Sequence, residues 1–229
     1  MMGATAHIVW DWNGTLLDDL DITVQATDHA CRLVGGAPVD HARYRDCFTR
    51  PVRAFYERLL ERDASEDEWR VLAEGYHRHY RDNLARAALR RGTRGLLAEL
   101  ADSGVTHSLL SMTEHDELLG LVEAHGLRDS FQIVDGAPKH RRADGKTEAL
   151  REHLARLTGL RGSSLPPEQV LLVGDALDDG HAASGSGAAC VLLADGAYAP
   201  GEPQRLGLRV AETLHEAART GLQLLEARR

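Results

Sequence analysis

The chain has 229 residues, 43% hydrophobic and 27% charged, enough apolar material for a sizeable core and the charge content of an ordinary soluble protein. Its 35 acidic and 27 basic residues leave a net charge of -8 with no long basic tract, which argues against a nucleic-acid backbone as partner. No run approaches the roughly eighteen apolar residues of a membrane span, no basic region precedes a hydrophobic signal core, and Cys31, Cys47 and Cys190 are too scattered for a disulfide framework; a cytoplasmic protein with free thiols is expected.

The first predicted element is a buried parallel strand over 6–10, which ends abruptly in Asp11-Trp12-Asn13-Gly14-Thr15. Asp18-Asp19-Leu20-Asp21 then caps and charges a helix running to about Leu33. Further helices are expected over 40–47, over 51–61 with Pro51 in the first turn, and over 65–81, where Ser65 and Glu68 have capping-box spacing. Nothing between Asp18 and about Ala88 alternates with strand period, so 18–88 reads as a helical module inserted between 1–17 and 89–229. From Thr93 helices and strands alternate: helix 93–101, strand 105–110, helix 114–125, strand 131–134, a polar loop 135–145, helix 146–157 and a linker 159–167. Strand 170–173, a short helix 179–186, strand 189–193, a surface loop 201–207 and a terminal helix 210–226 complete an α/β chain with a mostly parallel sheet covered on both faces.

Two of these strands deliver carboxylates into glycine-marked loops. The first ends at Asp11; the second, Val170-Leu171-Leu172-Val173, runs into Gly174-Asp175-Ala176-Leu177-Asp178-Asp179. If the strands are neighbours, Asp11, Asp175 and Asp179 meet at the carboxyl edge of the sheet, where open α/β folds place ligands. Carboxylates crowd together at the cost of mutual repulsion unless a cation lies between them, and oxygen-only ligands suit magnesium. In the inserted module, Arg50, Arg53, Phe55, Tyr56, His77, His79 and Tyr80 are candidate lining residues, Arg50 first because Thr49-Arg50-Pro51 lies at a helix-to-helix bend. Trp10 reads as core and Trp12 as a contact to the inserted helices or a stacking surface for substrate. The histidines show no HxH or HExxH spacing, so they do not imply zinc, although His115 is close enough to Ser111 to border a pocket.

Four ordered signatures carry a family resemblance: Asp11-Trp12-Asn13-Gly14-Thr15, Ser111 after a hydrophobic strand, Lys146 opening a helix, and Gly174-Asp175 with Asp178-Asp179. With them, the chain resembles the haloacid dehalogenase-like hydrolases, in particular the phosphoglycolate phosphatase type with a small helical cap. The resemblance implies a Rossmann-like three-layer sandwich with an inserted α-helical cap. It implies magnesium-dependent hydrolysis of a small phosphorylated metabolite through an aspartyl-phosphate at Asp11, by a monomer or homodimer without nucleic-acid or membrane partners. Asp11, Asp175, Asp179 and the Asn13 backbone carbonyl would hold the metal. Ser111, the backbone N–H of Met112, and Lys146 would bind phosphoryl oxygens, Thr15 would steady the loop, and Arg50 would reach substrate from the cap. Lys139 is the rival to Lys146. The family ordinarily has an aspartate where this chain has Asn13, so general acid–base help, worth roughly 100- to 10,000-fold, is missing. The alternatives are other chemistry of the family, such as dehalogenation, or a phosphate-ligand binding protein with weak catalysis.

Overall fold

A computed structural model describes residues 6–138 and 145–228. β1 (His7–Trp10) is followed by the two-residue β2 (Leu17–Asp18) and four helices, α1 (Leu20–Leu33), α2 (His41–Cys47), α3 (Val52–Leu60) and α4 (Glu66–Asn83). The chain returns through β3 (Ala88–Leu89). Alternation then begins with α5 (Thr93–Asp102), β4 (Thr106–Glu114), α6 (His115–Ala124), β5 (Val134–Ala137) and α7 (Lys146–Arg161). It continues with β6 (Val170–Ala176), α8 (Leu177–Ser186), β7 (Ala189–Ala197), α9 (Glu202–Arg205), β8 (Arg209–Ala211) and α10 (Leu214–Glu226).

The large sheet has the order β5-β4-β1-β6-β7-β8, and every pairing in it is parallel. Ile8 and Trp10 of β1 point into one apolar layer with Leu171, Val173 and the inner sides of α5, α6 and α10. Val9 points the opposite way, into a layer with Leu172 and the inner sides of α7 and α8. Burial on both faces is why the strands read as continuous apolar runs, and each fully buried aliphatic chain contributes roughly 1.5–3 kcal/mol. The result is a three-layer α/β sandwich carrying an inserted helical cap, α1 to α4, whose own core is built on Tyr44, Phe55, Tyr56, Leu59 and Leu72. The capping box at Ser65 and Glu68 forms as the spacing requires. No helix among the described residues is long and apolar enough to cross a membrane.

Several elements depart from the sequence-based expectation. β2 and β3 pair antiparallel, Leu17 with Leu89 and Asp18 with Ala88, so both crossings to the cap run through one short ribbon instead of through loops. Phe131 and Ile133 do not form the start of a strand: they are buried in opposite layers, which an extended chain forbids for residues two apart, and regular pairing begins at Val134. α7 tolerates Gly159 and runs to Arg161, ending where Gly162 adopts φ +62. Arg209–Ala211, expected to begin the last helix, is an edge strand too short to show a period. Residues 202–205 of the expected surface loop form a helical turn. All three cysteines are free thiols.

Candidate active site

β1 sits where the sheet order reverses, between β4 and β6, so its carboxyl end opens a crevice. The Asp11 N–H donates to Val173 O at 2.9 Å, extending the ladder by one residue and fixing the acid beside β6. Beyond it the chain folds back on itself: the N–H groups of Thr15, Leu16 and Leu17 all donate to Trp12 O. Gly14 at φ +67 makes this turn, and a Cβ there would lie 2.3 Å from Asp175 Oδ2. A Cβ at Gly174 would lie 2.2 Å from Asp179 Cγ. Both glycines therefore serve close approach of carboxylates to backbone.

One carboxylate oxygen from each of Asp11, Asp175 and Asp179 lies within 4.8 Å of the others, and all three residues are buried. Lys146, the first residue of α7, reaches into this group: its Nζ is 2.8 Å from Asp11 Oδ2 and also ion-pairs with Asp179. Burial alone would lower the Lys146 ammonium, but Asp11, Asp179 and Asp178 together hold it above its ordinary value. Burial, with Asp11 and Asp178 adding to it against Lys146, pushes Asp179 up to about 7. Asp175 is driven well above the carboxylate range by burial and then by Asp11 and Asp179. One ammonium thus leaves three buried carboxylates undercompensated, and the Lys146 ion pair is all that meets Asp179 Oδ1. This donor set fits a hard divalent cation. Lys139 lies outside the described residues.

Asn13 is fully engaged. Its Nδ2 donates to Asp19 Oδ2 at 2.8 Å and to Tyr80 Oη at 2.9 Å, and its Oδ1 accepts from Thr113 Oγ1 at 2.6 Å and Ser111 Oγ at 3.4 Å. Asp19 does not cap α1 with its side chain, as its position suggests; it turns back to accept from Gly14 N at 2.7 Å and Tyr80 Oη at 2.6 Å. Burial raises the Asp19 carboxyl, opposed by these hydrogen bonds from Tyr80, Asn13 and Gly14. Ser111 is buried at the sheet edge, and Met112 lines the cavity beside it. Thr15 is fully buried, with Oγ1 3.5 Å from Asp175 Oδ1, and is absent from the cavity wall, so its contribution runs through that acid.

These groups open into a cavity of about 420 Å³ between core and cap. Arg50, Phe55, Tyr56, His77 and Tyr80 line it. Arg50 Nε lies 3.2 Å from Asp178 Oδ2, across the core–cap boundary. Arg53 instead pairs with Glu57 and Glu66, and His79 stacks on His29, both away from the cavity. His115 is turned towards β5, its Nδ1 accepting from Gly136 N at 3.2 Å. Trp12 does not line the cavity: it is fully buried in the core layer with Leu16, Leu17 and Leu97, because the turn after Asp11 directs it inward. Asp19 and Thr113 escape sequence reasoning, as does Arg90, which donates to Gly14 O at 2.7 Å and Thr15 O at 3.1 Å and so braces the loop. A doubled acid at 18–19, of which one cap needs only one, was the available signal for Asp19; Arg90 in Leu89-Arg90-Arg91 offers none.

A second buried polar chain crosses the sheet nearby. Arg161, which can only donate, faces His7 Nδ1 at 3.1 Å, so His7 Nε2 donates to Ser108 Oγ at 2.8 Å. Ser108 then donates to His153 Nε2 at 2.7 Å, and His153 Nδ1 donates to Asp135 at 2.8 Å, with Arg156 closing the far end. The Ser-His-Asp order is that of a nucleophilic triad, but Ser108 has no exposed surface and does not line the cap cavity.

The model of the family described as haloacid dehalogenase-like hydrolase matches residues 8–193. A phosphoglycolate phosphatase of Synechococcus elongatus is 27% identical over 179 residues, 77% of each chain. One from Vibrio vulnificus is 28% identical over 203 residues, 86% of each. The solved structure of a haloacid dehalogenase-like family hydrolase from Streptococcus pneumoniae superposes with a TM-score of 0.76 over the whole of both chains at 18% identity, a likeness of fold.

Proposed function

The chain belongs to the haloacid dehalogenase-like hydrolases, and from that membership we propose that it is a magnesium-dependent phosphohydrolase of a small phosphorylated metabolite. The reading is carried by one observation: Asp11, Asp175 and Asp179 converge with Lys146 at the carboxyl ends of β1 and β6, at the floor of a capped cavity. Asp11 is the nucleophile. A carboxylate oxygen of Asp11 forms a bond to phosphorus as the bond to the leaving alcohol oxygen breaks, and water then cleaves the aspartyl-phosphate to inorganic phosphate. Magnesium held by Asp11, Asp175, Asp179 and the Asn13 carbonyl would neutralise phosphoryl charge.

The remaining work falls to the chain's own groups. Lys146 holds Asp11 by its ammonium and offers positive charge to the phosphoryl oxygens; Ser111 and the Met112 N–H are the donors proposed on the other side. Cap helices exclude water from the cavity. Asn13 neither gives nor takes a proton at useful pKa, and its amide is committed to four partners, so turnover is slow for poor leaving groups and best for good ones. The experiment is a screen of phosphorylated metabolites with magnesium, repeated for Asp11→Asn. Loss of phosphate release in the variant is expected; persistence would overturn the mechanism.

A further inference from the structure

The cap side of the cavity has a character that phosphoryl transfer does not require. Phe48, Phe55, Trp69 and Tyr76 supply aromatic wall from the cap, and Glu114 and Glu117 face the same space from the core. The rings are braced against one another: Phe48 and Phe55 meet at 5.4 Å and 67°, and Trp69 packs on Tyr56 at 6.0 Å. Glu114 accepts only a long hydrogen bond from Asp116 N, at 3.4 Å, and Glu117 makes no ion pair or hydrogen bond among the described residues.

Cations are scarce by comparison. Among the described residues of the wall, Arg50 and Lys146 are the only Lys or Arg. Lys146 is committed to Asp11 and Asp179 at the phosphoryl end, and Arg50 is committed to Asp178. A carboxylate or second phosphate on the substrate would meet Glu114 and Glu117 with no uncommitted Lys or Arg among the described wall residues to answer it, or would have to strip Arg50 from its partner. Aromatic faces beside an unpaired carboxylate are instead the surroundings that hold an ammonium group, through the ring quadrupole and direct charge attraction.

Resting on the phosphohydrolase reading of this same site, we infer that the substrate is a phosphomonoester whose alcohol part carries an amine or quaternary ammonium group and no second anion, with Glu117 setting that preference. Hydrolysis transfers the phosphoryl group to water and releases the amino alcohol intact. The test compares phosphoethanolamine, phenyl phosphate and 2-phosphoglycolate with magnesium, on the full chain and on Glu117→Gln and Arg50→Ala. The kcat/KM for phosphoethanolamine should exceed that for 2-phosphoglycolate by about tenfold or more, with phenyl phosphate, whose phenol leaves more readily than either aliphatic alcohol, as the uncharged reference. Glu117→Gln should cut the phosphoethanolamine-to-phenyl phosphate ratio about tenfold, acting mainly on KM.

Preference for 2-phosphoglycolate, lost in Arg50→Ala, would overturn the inference and make Arg50 an anion clamp. An unchanged ratio in Glu117→Gln would also overturn it. If none of the three esters is hydrolysed, the phosphohydrolase reading fails separately. The binding preference is then read from the melting shifts that the same esters produce on Asp11→Asn with magnesium: a larger shift with phosphoethanolamine than with 2-phosphoglycolate supports it, and equal or reversed shifts sink it.

Discussion

Two buried polar clusters share one sheet and behave oppositely. In the chain through His7, Ser108, His153 and Asp135, each donor meets an acceptor and an arginine closes each end. In the group formed by Asp11, Asp175, Asp179 and Lys146, like charges crowd together and one oxygen is met by the Lys146 ion pair alone. The first has the residue order of a hydrolytic triad, but its serine is fully buried and off the cap cavity; the second has no such order, and Asp11, Asp175 and Lys146 line that cavity. Satisfied polar groups hold a fold together, whereas imbalance facing an opening marks chemistry waiting for a ligand.

The sharpest way to break this contrast is by substitution at the two candidate nucleophiles. Asp11→Asn should lower phosphate release by about four orders of magnitude or more while the protein stays folded, and Ser108→Ala should leave turnover within about twofold. The reverse pattern in a phosphate assay would exchange the roles of the clusters. Cation binding comes next in size. Magnesium at about one hundred times its dissociation constant should stabilise the fold by about 2.7 kcal/mol, and chelation should abolish turnover. The sign of the pH effect follows from the raised acids. The contribution of Asp179 to the stability of the metal-free protein is full below the ordinary carboxyl value of 3.8 and is lost as pH climbs through about 7, where Asp179 ionises. The magnesium increment in melting temperature should accordingly grow between pH 5 and pH 8.

Within the satisfied chain the effects fall on stability. Ser108→Ala leaves buried His7 and His153 nitrogens unpaired and should cost about 1–3 kcal/mol in denaturant titration. Burial, followed by Arg161, pushes the His7 imidazole down to about 2 from 6.5. As pH falls below 6.5 the unfolded chain takes up that proton first, so stability is present above 6.5 and declines by about 1.4 kcal/mol per pH unit below it. His7→Gln should flatten that limb in melts between pH 6.5 and 4; an unchanged slope would remove His7 from the account.

The sheet and the helical cap were legible because buried parallel strands leave uninterrupted apolar runs and amphipathic helices leave a period. Asp11 and Asp175 were legible because a charge directly after such a run is conspicuous. Asp19 was not: the doubled acid at 18–19 hints at one carboxylate more than a cap needs, but only the approach of Gly14 and Tyr80 draws Asp19 to the loop. Trp12 was misplaced because its direction depends on a turn of three N–H groups onto its own carbonyl. Thr113 and Arg90 act through contacts that cross the fold, to Asn13 and to Gly14, and leave no local trace.

The antiparallel pairing of Leu17 with Leu89 and Asp18 with Ala88 has an architectural consequence. Because departure and return are zipped side by side, the sheet registers only a pair of neighbouring ends, whatever their intervening length. The upper storey is in this sense a plug-in: a differently sized insert spliced at the same two seams would leave the strand order below undisturbed, and a lineage could change the clientele of its chemistry without rebuilding the bench on which it is done.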